Sequence, residues 1–247
     1  MLSYIASENL KYRHTFTRKL LWLAPVVTLL LGSLAPVWYQ QNSYNWWYIL
    51  LYPGVLTLLC TMIIQKDGGR LKYRTVYPLP VDLEKVWHAK LFVCIIYCVI
   101  ANIIFMAGNL LGGFLIFQIY KIPIRIHMLQ AFAGTICIIL ASIWNIPFVL
   151  WLAKKMGTFA ALLINIGFSS VLGILGADTA LWILCPYSWG LRLMVPVLGI
   201  LPNGESAELL DLPVAPMLIV AVPMLSVGIC YLLTRLTAKA FKEQEVL

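Results

Sequence analysis

The sequence contains few charged residues. Of its 247 residues only 11% are Asp, Glu, Lys or Arg, whereas 62% are hydrophobic and the mean hydropathy is +0.88. In soluble domains about a quarter of the residues are charged and about half are apolar. This composition excludes an ordinary soluble domain and predicts an integral membrane protein.

Motifs of enzyme and carrier chemistry are also missing. There is no H-E-x-x-H and no G-x-x-x-x-G-K-[ST]. His14, His88 and His127 lie outside the apolar runs or at their ends, so Ser169 and Ser170 have no evident histidine partner for a hydrolase. The apolar runs hold no carboxylate of the kind that proton- or sodium-driven carriers use. We therefore expect no catalytic residue, metal site or bound cofactor in this chain.

The cysteines form no C-x-x-C pair, and each lies in or beside an apolar run. This placement predicts small buried hydrophobic side chains and gives no indication of a disulfide framework or a zinc site. The six are Cys60, Cys94, Cys98, Cys137, Cys185 and Cys230.

Long apolar stretches dominate the rest of the chain. A helix needs about 20 apolar residues to cross a bilayer, and six stretches free of Lys, Arg, Asp and Glu reach or approach that length. We predict an all-α membrane protein with six transmembrane helices in residues 20–236, a lead-in at 1–19 and a tail at 237–247. The six spans are Leu20–Val37, Trp46–Ile64, Leu91–Gln118, Met128–Ala153, Met156–Ala177 and Leu212–Thr234.

The basic residues predict the orientation. With six crossings, 15 of the 18 Lys and Arg fall on one face, and the positive-inside rule makes that face cytoplasmic. Both termini are then cytoplasmic. The bases lie at span ends and form no stripe interleaved with aromatics, which argues against nucleic acid as a partner. Residues 1–19 have the pattern of an amphipathic helix at the membrane surface, although a basic start before Leu20–Val37 also resembles a signal peptide.

The longest polar internal segment is 65–90. Asp82 is a suitable N-cap for a short helix, and Leu83, Val86 and Trp87 recur at the spacing of one helix face. This pattern favours an amphipathic helix that projects an apolar edge toward a soluble partner. An ordinary solvated loop between spans explains the charges equally well.

The last outer segment, 178–211, is apolar in two halves that Pro186 separates, and neither half is long enough to cross a membrane. It is interpreted either as a re-entrant pair of short helices or as an interfacial loop. Glu205, Glu208 and Asp211 would form an acidic patch facing outward. That patch is either plain solvated charge or an attraction for a cationic substrate.

Uncharged polar residues occur inside the predicted spans. Their amides and hydroxyls either join helices by hydrogen bonds or line a substrate path. Gly108 and Gly112 have the spacing that permits close helix approach, and Pro147 is expected to kink the fourth span near Asn145. The candidates for packing or a substrate path are Asn102, Asn109, Asn145, Asn165 and Ser169.

Three segments carry a family resemblance: KYRHTFTRKLLWLAPVVTLLL at 11–31, LPVDLEKVWHAK at 79–90 and NIPFVLWLAKKMG at 145–157. They resemble the lantibiotic-immunity transporter permeases of Gram-positive bacteria, which are of the ABC-2 type. The resemblance implies a subunit of the bacterial cell membrane, surrounded by lipid, that binds no cofactor itself. A separate ABC ATPase would bind ATP and Mg, and a second copy or a related six-span permease would complete the complex. Its substrate would be a cationic antimicrobial peptide.

The resemblance also implies site residues. Pro80, Asp82, Leu83, Glu84, Val86 and Trp87 would form a helix that couples to the ATPase, with Leu83, Val86 and Trp87 as its apolar anchor. One alternative is an ABC-2 permease for another amphipath, such as a bacitracin-like peptide or a lipid-linked envelope precursor. Another is a membrane sensor or anchor that transports nothing and recruits a soluble protein through 65–90.

Overall fold

The fold is a bundle of α-helices, as the composition predicted. The computed structural model describes residues 1–69, 73, 81–207 and 213–243, and within these ranges we find helices, turns and an isolated β-bridge between Ile200 and Ser206 but no β-strand. Short 3-10 turns occur at Pro36–Trp38, Trp182–Leu184 and Pro186–Ser188, and a π-helical turn at Trp47–Leu51. The α-helices are α1 (Leu2–Leu10), α2 (Phe16–Ser33), α3 (Tyr39–Trp46), α4 (Tyr52–Gly68), α5 (Leu83–Tyr120), α6 (Met128–Ser142), α7 (Asn145–Ala177), α8 (Trp189–Leu198) and α9 (Pro216–Glu243).

Five helical segments of the described chain are long and apolar enough to cross a membrane, whereas the sequence predicted six. They are Phe16–Ser33, Pro36–Gly68, Leu83–Tyr120, Asn145–Ala177 and Pro216–Glu243. The predicted fourth span is where the two differ, because α6 has only 15 residues, fewer than the roughly 20 that a span needs. By length and composition, then, the structure supports a membrane protein with about five spans, and the sixth stays a prediction.

The helix α7 reverses direction at Gly157, where φ is 82° and ψ is 179°. Asn165 Nδ2 donates to Thr57 Oγ1 over 2.8 Å, and the Cys60 thiol lies 3.9 Å from the carbonyl oxygen of Ile146. In a straight helix residues 146 and 165 would be about 28 Å apart, yet both lie beside a single turn of α4. The two halves of α7 therefore pack side by side, and Gly157 makes the bend because only glycine adopts these angles without strain.

The helical hydrogen bonding is also interrupted between α6 and α7, where Pro147 predicted a disturbance. Pro147 has no N–H to donate to the carbonyl of Ile143, four residues earlier. The N–H of Ile146 bonds that carbonyl instead, at 3.3 Å, as in a 3-10 turn. The helix is therefore interrupted near Asn145, while Ile143 and Trp144 keep helical backbone angles.

One end of the bundle collects the basic segments, and we call it the basic end. Lys90 contacts Glu8 and Asp67, and Lys242 contacts Glu84, so segments from the start, the middle and the end of the chain meet there. The two described termini consequently lie at the same end. At the opposite end the Arg125 guanidinium donates to Gln41 over 3.2 Å.

The aromatic residues of segment 38–48 pack mainly inside the protein, although a cluster of aromatics at the end of a span would also suit the level of the lipid headgroups. Tyr39, Tyr44, Trp47 and Tyr48 are all buried. The Trp47 ring stacks on Phe105 with centroids 4.8 Å apart. Aromatic side chains are stabilised both by packing against neighbouring helices and by the membrane–water interface, and the sequence pattern does not distinguish these two environments.

Gly108 and Gly112 of α5 permit close helix approach, as their spacing predicted. A β-carbon at Gly108 would clash with Leu29 of α2, and one at Gly112 would clash with the Tyr39 hydroxyl of α3.

The described part of the segment after α7 contains one short α-helix, α8. Two 3-10 turns lead into α8, which packs against α6 and buries Trp189, Leu193 and Leu198. Arg192 of α8 is buried and donates to the carbonyl oxygens of Ala177, the last residue of α7, and of Pro213. The helix α8 is thus packed into the bundle, whereas Leu181 and Leu184 before it are exposed, and Glu208 and Asp211 lie outside the described residues.

Candidate functional site at the basic end

The start of α5 contains most of the residues predicted to contact a partner. Asp82 caps the helix as expected, since its carboxylate accepts the backbone N–H groups of Glu84 and Lys85 at 3.0 and 3.4 Å. Burial raises the pKa of the Asp82 carboxyl, but these hydrogen bonds and the Lys85 ammonium together outweigh that effect and hold the pKa below its ordinary value. Asp82 and Lys85 are exposed and Glu84 is partly exposed, whereas Pro80 lies outside the described residues.

The predicted short helix is not a separate element. Residues from Leu83 to Tyr120 form one helix of 38 residues, so the first turns of α5 continue directly into a membrane-length segment. A helix of this length extends about 57 Å. Any movement of the exposed first turn is therefore passed to the bundle without an intervening joint.

The predicted apolar anchor does not project from the protein. Leu83, Val86 and Trp87 are 4%, 8% and 0% exposed, and the expectation that they form a free edge is wrong. The chain's last helix covers them: Trp87 Nε1 donates to Thr237 Oγ1 over 2.9 Å, and its ring lies 5.0 Å from that of Phe241. The sequence pattern identified the apolar face correctly, but the element that packs against it is α9 and not a soluble partner.

A lysine from α7 joins the same cluster. The Lys154 ammonium lies 4.1 Å from the ring centroid of Phe241, with Tyr73 and Trp87 at 5.6 and 6.0 Å. An ammonium near aromatic faces is attracted to their negative potential. Side chains from α5, α7 and α9 thereby meet around Trp87, and this arrangement couples the three helices at the basic end.

Four charged side chains form a second cluster at this end. Lys90, fully buried, contacts Asp67 and lies 2.6 Å from a Glu8 oxygen, and Lys11 lies 2.8 Å from both carboxylates. Two acids and two bases make the cluster neutral, which offsets the cost of burying each charge. Its ion pairs connect Glu8 and Lys11 with Asp67 of α4 and Lys90 of α5.

Sequence reasoning missed this cluster. It considered residues 65–90 as a docking helix or a solvated loop, and residues 1–19 as an amphipathic surface helix or a signal peptide. One signal could have pointed to it: Glu8 is the only acid among the basic residues of 1–19. In the structure the carboxylates of Glu8 and Asp67 raise the pKa of Lys11 above its ordinary value, although burial alone would lower it.

Three of the predicted polar residues join helices. Asn102 accepts the indole N–H of Trp47 at 2.9 Å, and Asn109 donates to the backbone oxygen of Gln40 at 3.2 Å. Asn165, already paired with α4, also accepts the hydroxyl of Tyr187 at 2.9 Å. All three asparagines are buried.

The other two polar residues, Asn145 and Ser169, line a cleft. It lies beside the helix break and has a volume of about 40 Å³, and Tyr52, Ser142 and Tyr187 also line it. Asn145 is 6% exposed, and its side-chain oxygen has no hydrogen-bond partner in the described structure. Among the described residues the lining offers hydroxyl, amide and aromatic groups and no charged group.

The cysteines behave as predicted. All six are free, and all but Cys185 are buried. In the described part of the chain no three His, Cys, Asp or Glu residues are grouped so that they could hold a metal ion.

Residues 4–176 match the family of ABC-2 family transporter proteins. The chain belongs to the ABC-2 transporter family. The matched region includes α5, the four charged residues around Lys90, and the residues of α5 and α7 that meet around Trp87. It stops before α8 and α9. Neither a curated protein nor a solved structure gives a significant match to this ABC-2 protein. Membership makes the chain a membrane component of a transporter and implies an ABC ATPase as its partner.

Proposed function

We propose that this ABC-2 protein is the permease subunit of a bacterial exporter that a separate ATPase subunit drives. The observation that carries the proposal is the continuity of α5. Its first turn presents Asp82, Glu84 and Lys85 at the basic end, and the same helix runs on through the bundle.

The side chains along α5 support a mechanical role. Near its start Trp87 bonds to α9 and Lys90 to α1 and α4, while farther along Asn102 and Asn109 bond to segment 39–51. A rigid helix moves as one body, so a push on the first turn displaces contacts at both ends of the bundle. ATP hydrolysis on the partner would supply that push.

Six crossings follow if α6 and the first half of α7 form one interrupted span. Residues 128–156 lead from the neighbourhood of Gln40, which bonds to Ile126, to that of Phe241, which contacts Lys154. In this topology the basic end faces the cytoplasm by the positive-inside rule, and both termini are cytoplasmic. Coupling residues at that end would then be accessible to an ATPase.

The substrate class we propose is the lantibiotic type of antimicrobial peptide. The support comes from the resemblance of segments 11–31, 79–90 and 145–157 to immunity permeases. A second copy or a related permease would pair with this chain to form the path.

One observation favours a second candidate substrate. The cleft at the helix break has no acidic residue in its lining, and a cationic peptide would find no counter-charge there. Uncharged hydrogen-bonding and aromatic groups suit the apolar part of another amphipath, such as a lipid-linked envelope precursor or a bacitracin-like peptide.

A combined experiment tests both parts of the proposal. The tagged chain is expressed with the ATPase genes of its source bacterium in a peptide-sensitive strain. We expect an ABC ATPase to co-purify and the strain to tolerate lantibiotics but not a linear cationic peptide. Co-purification of the ATPase with tolerance of bacitracin alone would favour the second substrate, and failure to retain any ABC ATPase would refute the permease role.

A further inference from the structure

The first turns of α5 form only one wall of an open groove at the basic end. Glu84 and His88 line one side, and the last turns of α9 line the other, with about 670 Å³ of space between them. The ion pair of Lys242 and Glu84, at 3.1 Å, connects the two walls. A partner protein that contacts Glu84 in this groove therefore also contacts α9.

The α9 wall is basic and accessible. Arg235, Lys239 and Lys242 line it, and the Lys239 and Lys242 side chains are 76% and 60% exposed. The pair of Lys239 with Glu243 is long, at 3.8 Å, and lies in solvent, where such pairs are weak. The Lys239 ammonium thus remains available to carboxylates of a partner.

The two helices that form the walls are also joined by a buried contact that lies outside the groove's lining. Trp87 and Phe241 are buried in ring contact, and the Trp87 indole bonds to Thr237, so the two helices cannot separate locally without exposing both aromatic rings. Force applied to either wall reaches the same buried contact.

We propose that the last turns of α9, from Arg235 to Lys242, are a second docking element for the ATPase subunit and bind an acidic segment of it. This inference rests on the proposed function, because it names the partner as the same ATPase. It goes beyond the family match, which ends at residue 176. Its support is the continuity of the groove with Glu84, a predicted coupling residue, together with the basic charge of the new wall.

Site-specific photo-crosslinking in living cells tests the proposal. Benzoylphenylalanine replaces Lys85 on the α5 side, Lys239 on the α9 wall, or Lys121 near the opposite end as a matched control. We expect adducts with the ABC ATPase, identified by its peptides in mass spectrometry, at positions 85 and 239 and none at 121.

The second docking element and the permease role can be refuted separately. An ATPase adduct at position 85 with none at 239, or an adduct at 239 with lipid only, overturns the second docking element and leaves the permease role intact. No ATPase adduct at either position overturns both. As an independent measure, Lys239→Glu should reduce the co-purified ATPase roughly threefold to tenfold relative to Lys121→Glu, because it places like charges in apposition. Equal recovery from the two variants counts against the α9 wall.

Discussion

Substitution of Lys90 by methionine tests whether the buried charge cluster stabilises the fold. Methionine preserves most of the side-chain volume but leaves the carboxylates of Glu8 and Asp67 with Lys11 as their only close cation among the residues that the structure describes. Removing one partner from a buried ion pair destabilises a protein by about 3–5 kcal/mol. For a chain of this size that corresponds to a fall in melting temperature of roughly 6–20 °C by the scaling of soluble domains.

The control restores neutrality. Lys90→Met combined with Glu8→Gln leaves one carboxylate and one ammonium, Asp67 and Lys11, which lie 2.8 Å apart. The glutamine also keeps an oxygen that can accept the Tyr12 hydroxyl, which bonds to Glu8 in the native chain. We expect the double variant to recover at least half of the lost melting temperature, since an uncompensated buried charge accounts for most of the penalty.

The protein supplies its own reporter for this assay. Cys60, Cys94 and Cys98 are almost completely buried, so a dye that fluoresces on reaction with thiols reports unfolding of the detergent-purified chain. A single variant that melts with the native protein would refute the stabilising role. A double variant no more stable than the single one would show that packing at Lys90, and not charge balance, is what matters.

Three further outcomes are expected. Trp87→Phe keeps an aromatic ring but loses the hydrogen bond to α9, and should cost about 1 kcal/mol in stability while reducing peptide tolerance in the survival assay; unchanged tolerance would argue against coupling through this contact. Gly157→Ala should destabilise the chain by about 1–3 kcal/mol because of the backbone angles at Gly157. Gly167→Ala is the control and should not destabilise it, since a β-carbon at either glycine meets no neighbour within 4 Å. Equal melting temperatures of the two variants would contradict the reversal at Gly157. An impermeant maleimide should label Lys121→Cys on intact cells and Lys155→Cys only after permeabilisation, and the opposite pattern would invert the proposed orientation.

Individual residues show how far sequence reasoning extends. The Asp82 cap, the helix interruption before Pro147 and the burial of five of the six cysteines follow from the sequence, because each depends on local geometry or on simple hydrophobicity. The apolar face of Leu83, Val86 and Trp87 was recognised, but its partner was assigned to another protein. Periodicity identifies a face that must be covered, and it carries no information about which element covers it.

The buried charges illustrate the same limit. Glu8, Asp67 and Lys90 are far apart in the chain, and a single charged residue in a loop pattern has no feature that distinguishes burial from solvation. Three helices must converge before these side chains come within reach of one another, and that convergence depends on packing over the whole bundle.

The sequence alone determined that this chain is an α-helical membrane protein, because hydropathy acts on each segment separately. The tertiary structure decided that α5 continues from its exposed first turn into the membrane, that α7 folds back at Gly157, and that α9 covers Trp87. Those features arise from contacts between segments as many as 150 residues apart, and their energies depend on three-dimensional proximity that a linear pattern does not encode.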